Sequence, residues 1–359
     1  MDGCMNSVFR SVLTVGPDFD PPKGGIAQVV YNYCNDVFGG DFHFIANSCA
    51  GSMARKAVCA LLAVLKMVWE LSVNRRIRIV HIHTASYTSF TRSCLYLHIA
   101  KAMGRKVIMH VHGGAFRDYY SENRSYVSHQ LRQCDCVVVL SDYWKRFMTQ
   151  EVGVDRVEVV NNIIPKPEFS AEPCIDDGKM HAMFMGLLIR DKGIYDLIEA
   201  VASIKDELAG RFVLHVCGTG ETEAVKARIG ALGIDGLIRL EGWVSGRAKT
   251  RLMNQCRLYV LPSYIEGLPL SILEAMSYRM CIIATSVGSI PELLTGTSFG
   301  EMIKPGDTGA LAAAVAKCAG MPADELQARA EAGYEASRSY WPDAVRGRLE
   351  QIYKNLISE

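Results

Sequence analysis

Residues 259–276 read Tyr-Val-Leu-Pro-Ser-Tyr-Ile-Glu-Gly-Leu-Pro-Leu-Ser-Ile-Leu-Glu-Ala-Met, and they predict a buried strand, a loop and a helix. Pro269 suits the first position of the helix, because its missing N–H would have no partner there anyway. Glu266 then lies in the loop, and Glu274 lies about a turn and a half inside the helix. Ligands of an open α/β sheet bind beside the carboxyl ends of its strands, so this junction predicts a site as well as a fold class.

The same alternation of strands and helices covers most of the chain. Strands are predicted at 11–15, 42–45, 79–82, 107–111, 136–140, 157–160, 181–185, 212–217, 237–240, 258–261 and 281–284. Helix-like stretches between them indicate parallel, doubly wound sheets. Residues 161–179 interrupt the alternation with three prolines and many polar residues, which is typical of a linker.

The predicted fold is therefore α/β, with two Rossmann-like doubly wound domains that face each other across a cleft. A length of 359 residues also exceeds the usual size of one domain. The expected divisions are an N-terminal domain at 1–165, a linker at 166–179, a second domain at 180–338 and a C-terminal helix at 339–359. Clefts between domains are preferred ligand sites.

Composition excludes several functions. A net charge of +1, without a nucleic-acid-binding motif, argues against a DNA or RNA partner. Twelve scattered cysteines without a C-x-x-C pair fit the reducing cytosol. We expect no signal peptide, because Arg10 and the strand-like residues after it lead directly into the fold.

An apolar segment at 57–71 (AVCALLAVLKMVWEL) has basic residues on both sides. Lys66 and Glu70 interrupt it, and it is too short to span a bilayer. Two interpretations stay open, and they are compatible. The segment is a core helix between two strands, or an interfacial helix whose basic flanks meet anionic lipid headgroups.

Three segments of the second half end strands with residues suited to a nucleotide. Arg190 and Lys192 precede a helix whose N-terminus would add its positive end, which predicts an anion site. Gly218 and Gly220 follow the strand at 212–217 and could pass beneath a nucleotide. Val244, after the strand at 237–240, could offer backbone groups to a base.

In the first half, Gly24 and Gly25 follow the first strand and would let the backbone approach a phosphate or sugar closely. The dinucleotide pattern G-x-G-x-x-G is absent there. Asp18 and Asp20 form a lone D-x-D, which we interpret as acidic turn residues rather than a metal site.

Histidines mark two other strands. His112 ends the strand at 107–111 and is followed by two glycines, so it can donate to a sugar hydroxyl. His81 and His83 share one face of their strand. Zinc would need further ligands, so we interpret this pair as packing or polar lining.

Together these motifs make the chain resemble family 4 of the retaining glycosyltransferases, which have the GT-B fold. The resemblance covers nearly the whole chain and is most specific at 266–276, 186–193 and 24–27. It implies that Glu266 approaches the donor sugar and that His112 lies near the reacting carbon as a second catalytic residue. It also implies that the final helix packs back on the first domain.

Together with the strand-end segments described above, the resemblance predicts which residues hold the donor. These are Gly24, Gly25, Arg190, Lys192, Gly218, Gly220, Val244, Gly267, Leu268 and Glu274, with Lys192 on the diphosphate and Glu274 on the ribose. The chain departs from the family at one position. Leu187 stands where an arginine is usual, and Arg190 is the candidate replacement for its charge.

The implied activity is metal-independent sugar transfer from a nucleotide-diphosphate sugar, with retention and without a cofactor. The expected acceptor is a saccharide or a lipid-linked glycan of bacterial surface polysaccharide synthesis, in the cytoplasm or at the inner face of the plasma membrane. Two alternatives are a nucleotide-sugar 2-epimerase of the same fold and a non-catalytic nucleotide-sugar-binding assembly protein. The E-G-L-P-L…E-A-M motif and the Gly24-Gly25 loop favour sugar transfer over these two alternatives.

Overall fold

The structure is a computed structural model that describes residues 8–22, 24–49, 51–169 and 177–359. The chain divides into two compact units. Unit 1 comprises Met1–Pro165 and Tyr340–Glu359, and unit 2 comprises Lys166–Ser339.

Unit 1 is built on one parallel sheet with helices between its strands. The strands are β1 (Val12–Pro17), β2 (His43–Ser48), β3 (Ile79–Thr84), β4 (Lys106–Val111), β5 (Cys136–Val139) and β6 (Val157–Val159). The helices are α1 (Gly25–Asn32), α2 (Met53–Val73), α3 (Thr88–Ala102), α4 (Phe116–Glu122), α5 (Arg124–Arg132) and α6 (Asp142–Phe147). π-helical turns at Tyr33–Phe38 and Met148–Val152 follow α1 and α6.

The strand order in unit 1 is β2-β1-β3-β4-β5-β6. Every residue of β3 is buried, as expected of a central strand covered by helices on both faces. The order reverses between β1 and β3, so the loops after these two strands flank the switch point where ligands of such sheets bind.

Unit 2 repeats this architecture. Its strands are β7 (Met180–Met185), β8 (Phe212–Cys217), β9 (Ile238–Gly242), β10 (Leu258–Leu261), β11 (Cys281–Thr285) and β12 (Gly300–Ile303). Its helices are α7 (Ile194–Ser203), α8 (Lys205–Leu208), α9 (Thr222–Leu232), α10 (Gly246–Gln255), α11 (Leu270–Ser277), α12 (Ile290–Leu294), α13 (Thr308–Ala319) and α14 (Ala323–Ser337). The strand order is β12-β11-β10-β7-β8-β9, with all pairs parallel. The switch point therefore lies between β7 and β10.

The last helix, α15 (Pro342–Ser358), returns to unit 1. Its apolar face is buried at Leu349, Tyr353 and Leu356. The Tyr353 hydroxyl lies 2.7 Å from Nδ1 of His81 on β3, and Arg78 donates to the backbone oxygen of Ile357 at 2.9 Å. These contacts join the end of the described chain to the middle of the first sheet.

The prediction of two doubly wound α/β domains is confirmed. The sequence did not indicate β12, a four-residue strand at the sheet edge whose Met302 is exposed. Helix α11 begins at Leu270, so Pro269 precedes the helix instead of opening it. The predicted linker falls partly on residues 170–176, outside the described residues. Within the part of the chain that the structure describes, no helix is long and apolar enough to cross a membrane.

Candidate functional site

Two loops meet at the switch point of unit 2. The loop after β7 ends in a 3₁₀ turn, Arg190–Lys192, and the loop after β10 carries Glu266. The Tyr264 amide donates to the Asp191 carbonyl at 2.8 Å. A Cβ on Gly193 would lie 2.0 Å from the Pro262 carbonyl oxygen, and φ of +69° there also requires glycine. The loops are thus locked together by backbone contacts.

Lys192 and Glu266 form an ion pair across these loops. Lys192 Nζ lies 2.6 Å from Glu266 Oε1, and 27% and 9% of the two side chains are exposed. The Ser289 amide, in the loop after β11, donates to the Gly267 carbonyl at 2.9 Å. This hydrogen bond anchors the loop that carries Glu266. The pair places a cation and a carboxylate beside the N-terminus of α7, where an anion is stabilised.

Glu274 forms a second ion pair in unit 2. It lies in α11 and is 8% exposed, and Lys249 Nζ of α10 donates to its Oε1 at 2.6 Å. Sequence reasoning missed Lys249, because it lies 25 positions before Glu274 in no recognisable motif. One carboxylate oxygen is thus held by lysine, which orients the other.

The glycines after β8 allow the closest backbone approach in this unit. A Cβ on Gly218 would lie 1.8 Å from the Gly186 carbonyl oxygen, and Gly220 pairs with Leu188 as an isolated bridge. The loop after β8 therefore lies against the loop that leads to Lys192. Val244 is half-buried in the connection between β9 and α10.

Arg190 lies apart from this arrangement. It is exposed and lines a cavity of about 510 Å³ with Tyr195, Asp196 and Glu221. Two of these neighbours are acidic, which makes the surroundings poor for an anion. Leu187, the position of the family's arginine, is 49% exposed. Arg190 and Lys192, which the sequence grouped as one anion site, thus have different neighbours in the structure: Lys192 pairs with Glu266, and Arg190 lines this cavity.

In unit 1, Gly24 and Gly25 lie at the start of α1, after the switch-point strand β1. Gly24 has φ of +100°, and its carbonyl accepts the Gln28 amide at 3.0 Å. Apart from chain neighbours, no atom of the described residues lies within 4 Å of a Cβ built on either glycine. The space beside this helix start is therefore open.

His112 follows β4 directly and is half-buried. Its Nε2 lies 2.8 Å from Nδ1 of His83, and its ring stacks on that of His83. Burial lowers the pKa of His112 to about 3, so the imidazole is neutral at physiological pH. The neutral imidazole can donate or accept a hydrogen bond with a sugar hydroxyl, but it places no positive charge beside the sugar.

The three other histidines of these strands join His112. His83 and His110 are directly opposite in the β3–β4 register, and His81 Nε2 lies 3.2 Å from His110 Nδ1. Burial lowers the pKa of His81 to about 3 and those of His83 and His110 well below the usual value. The sequence signal was present, since two H-x-H pairs on neighbouring strands share one face.

Two family models match the chain on either side of residue 165. A model described as Glycosyltransferase Family 4 matches residues 50–166, and one described as Glycosyl transferases group 1 matches residues 165–336. The second match contains both ion pairs. The chain belongs to the group 1 glycosyl transferases of GT-B fold.

Known proteins agree with this membership. A Bacillus subtilis protein named as a teichuronic acid biosynthesis glycosyltransferase, TuaC, is 32% identical over 38% of this chain and 32% of its own length. The lipopolysaccharide 1,6-galactosyltransferase of Salmonella typhimurium is 24% identical over 73% of this chain and 68% of its own. The chain spans about a third to a half of the length of several curated relatives that it matches.

The fold also matches solved structures. HepE of Anabaena, in complex with UDP-glucose, superposes with a TM-score of 0.73 at 16% identity, over 97% of this chain and 99% of that one.

Proposed function

We propose that this protein transfers a sugar from a nucleotide-diphosphate donor to a hydroxyl of a saccharide or lipid-linked acceptor, with retention at the anomeric carbon. The observation that carries the proposal is the Lys192–Glu266 ion pair at the switch point of unit 2. Both family models and the two relatives named above are glycosyltransferases, which favours transfer over epimerisation or binding alone.

Lys192 and the N-terminus of α7 bind the donor diphosphate. The lysine supplies one full positive charge and the helix a partial one, so the charge of the departing diphosphate is stabilised without a metal ion. Arg190 has acidic neighbours, so it contributes less to this stabilisation than Lys192 does.

Glu274 accepts hydrogen bonds from the ribose of the donor. Lys249 holds one of its carboxylate oxygens, which positions the other for the sugar hydroxyls. The loops at Gly218 and Gly220 and at Val244 surround the rest of the nucleoside, and glycine at 218 and 220 lets the loop after β8 pack closely on the loop after β7.

Glu266, with the backbone of Gly267 and Leu268, contacts the donor sugar. In unit 1, His112 as a neutral imidazole can donate a hydrogen bond to the sugar, and Gly24 and Gly25 let the backbone approach the donor closely. These roles follow the family resemblance residue by residue.

In the reaction, the bond between the anomeric carbon and the diphosphate oxygen breaks, and the acceptor oxygen forms its bond on the same face. The acceptor's hydroxyl proton passes to the departing diphosphate. Lys192 stabilises the charge that develops on the diphosphate, and exclusion of water limits hydrolysis.

The acceptor is a glycan assembled at an anionic membrane surface. TuaC and the Salmonella galactosyltransferase are named for envelope polysaccharides. Helix α2 buries Ala63, Met67 and Leu71 against its own unit and exposes a row of large apolar side chains. These are Val58, Leu61, Leu62, Leu65, Val68, Trp69 and Val73. With Arg55, Lys56, Arg75 and Arg76 at its two ends, this row suits insertion among anionic headgroups.

The test is incubation with a panel of nucleotide sugars, with and without saccharide acceptors. We expect release of nucleoside diphosphate that depends on the acceptor. The NMR coupling constant of the anomeric proton in the product should show the same anomeric configuration as in the donor. The Glu266→Ala variant should lose transfer, while Glu301→Ala, on the edge strand β12, should keep it. An isomerised donor without acceptor, or undiminished transfer by Glu266→Ala, contradicts the proposal.

A further inference from the structure

The imidazoles of β3 and β4 form a closed cluster in the core of unit 1. His81, His83 and His110 are at most 1% exposed, and one ring nitrogen from each lies within 4.8 Å of the others. His112 stacks on the cluster at its half-buried end.

Several buried polar atoms around the cluster lack hydrogen-bond partners among the described residues. They are His83 Nε2, His110 Nε2, the Tyr33 hydroxyl and Thr14 Oγ1. Thr14 is the register partner of His81, and the Tyr33 ring centre lies 5.4 Å from that of His83. Unsatisfied buried polar groups are unfavourable, and His83 Nε2 is the one among them that a metal ion shared with His81 and His110 would satisfy directly.

The outward-facing ring nitrogens of His81 and His83 have hydrogen-bond partners, as the non-ligating nitrogens of metal-bound histidines usually do. His81 Nδ1 lies 2.7 Å from the Tyr353 hydroxyl, and His83 Nδ1 lies 2.8 Å from His112 Nε2. Such partners fix the tautomer and ring orientation of ligating histidines. A metal ion would bind His81 Nε2 and His110 Nδ1 in place of the 3.2 Å contact between them, a separation close to the ~3.3 Å that two nitrogens on one tetrahedral zinc require.

We propose that His81, His83 and His110 bind one divalent transition-metal ion, with Zn²⁺ as the best match to three imidazoles. The Tyr33 hydroxyl, which is buried and has no partner among the described residues, is the candidate for a fourth position. The site is structural, because it is buried and joins β3 to β4 and, through Tyr353, to α15. The site also determines the tautomer of His112. A metal ion on His83 Nε2 leaves the proton on His83 Nδ1, which then donates to His112 Nε2 and leaves the His112 proton on Nδ1.

The test uses the full chain, purified without a histidine tag and dialysed against a weak chelator. Elemental analysis should find about one zinc per chain, and reconstitution with Co²⁺ alone should give visible d–d absorption. A strong chelator should lower the melting temperature. The His110→Phe variant should lose the bound metal, while His98→Ala and His129→Ala, at exposed histidines, should keep it.

Less than a tenth of an equivalent of metal after reconstitution with Zn²⁺ or Co²⁺ overturns the proposal and assigns the cluster to buried water. Equal metal content in His110→Phe and the surface variants also overturns it. If His110→Phe does not fold, the cobalt spectrum and metal content of the unchanged protein decide the question.

Discussion

Lys192 and Glu266 are 74 positions apart in the sequence, yet Nζ and Oε1 lie 2.6 Å from each other at the sheet's switch point. The carboxylate thus pairs with the same cation that we assign to the diphosphate. Donor binding must share or replace this contact, which couples diphosphate recognition to the position of Glu266.

Removing the lysine should therefore damage transfer more than removing the arginine beside it. We expect Lys192→Ala to lower kcat by roughly 10²–10³-fold, the usual cost of one charge-stabilising group. Arg190→Ala is the matched control and should change kcat less than about threefold, because its neighbours are acidic. Steady-state kinetics with saturating acceptor measures both. The reverse ranking would assign the diphosphate to Arg190.

Glu274 and Lys249 predict a ribose-specific effect. Glu274→Gln keeps the shape but removes the charge, so affinity for the nucleoside diphosphate should fall about 10- to 100-fold. Calorimetry with ribose and 2′,3′-dideoxyribose nucleotides separates the contact, since the variant should no longer distinguish them. Lys249→Met should lower the affinity for both nucleotides and still bind the ribose nucleotide more tightly than the dideoxyribose one. Lys249 positions the carboxylate and does not contact the ribose.

The glycine between Lys192 and α7 is sterically required. Gly193→Ala places a methyl group against the Pro262 carbonyl, and we expect it to lower the free energy of unfolding. Gly233→Ala has a similar φ, +64°, but no close backbone atom, so it isolates the cost of the left-handed backbone, about 1–2 kcal/mol. Denaturant unfolding should show roughly 1–3 kcal/mol more loss for Gly193→Ala. Equal losses would show that the loops can separate.

Helix α2 should bind anionic vesicles. Phosphatidylglycerol vesicles should retain the protein and phosphatidylcholine vesicles should not, with binding that weakens as salt is added. A Leu61→Ser, Leu65→Ser, Trp69→Ser variant should lose at least tenfold in affinity, while Leu95→Ser, an exposed leucine on α3, should not. Vesicle flotation measures the difference. Unchanged binding by the triple variant would place the membrane contact elsewhere.

Buried thiols predict loss of stability at alkaline pH. Burial raises the pKa of Cys94 and Cys318 to about 11 and of Cys217 and Cys281 to about 12. The unfolded chain releases these protons near pH 8.5–9, the folded chain only later, so stability falls as pH rises between these values. Each thiol contributes up to about 1.4 kcal/mol per pH unit. Urea unfolding from pH 8 to 10.5 should show the decline, and native alkylation at pH 8 should spare these four cysteines.

Much of the fold could be predicted because local pattern determines it. Eleven of the strands coincide with short apolar runs in the sequence, and the run at 258–261 matches β10 residue for residue. β12 has no such run, since only one of its four residues, Ile303, is buried at this sheet edge. Its strand character comes from pairing with β11, which local sequence does not reveal.

The site was predictable only where a motif carries it. Glu266, Glu274 and Lys192 lie in recognisable segments at strand ends, whereas Lys249 is identified by its distance to Glu274 in the folded unit. Arg190 and Lys192 lie on one 3₁₀ turn but have different neighbours, because their side chains leave the turn in different directions. Such directions follow from tertiary contacts.

The return of α15 to the first sheet sets an order of assembly during synthesis. Unit 2 is one continuous segment, Lys166–Ser339, and can fold as soon as it leaves the ribosome. The first sheet must wait for Tyr353, made after the whole of unit 2, before its core is closed. Until then the nascent chain exposes apolar surface under α15, which makes this interval the point at which chaperones are most needed.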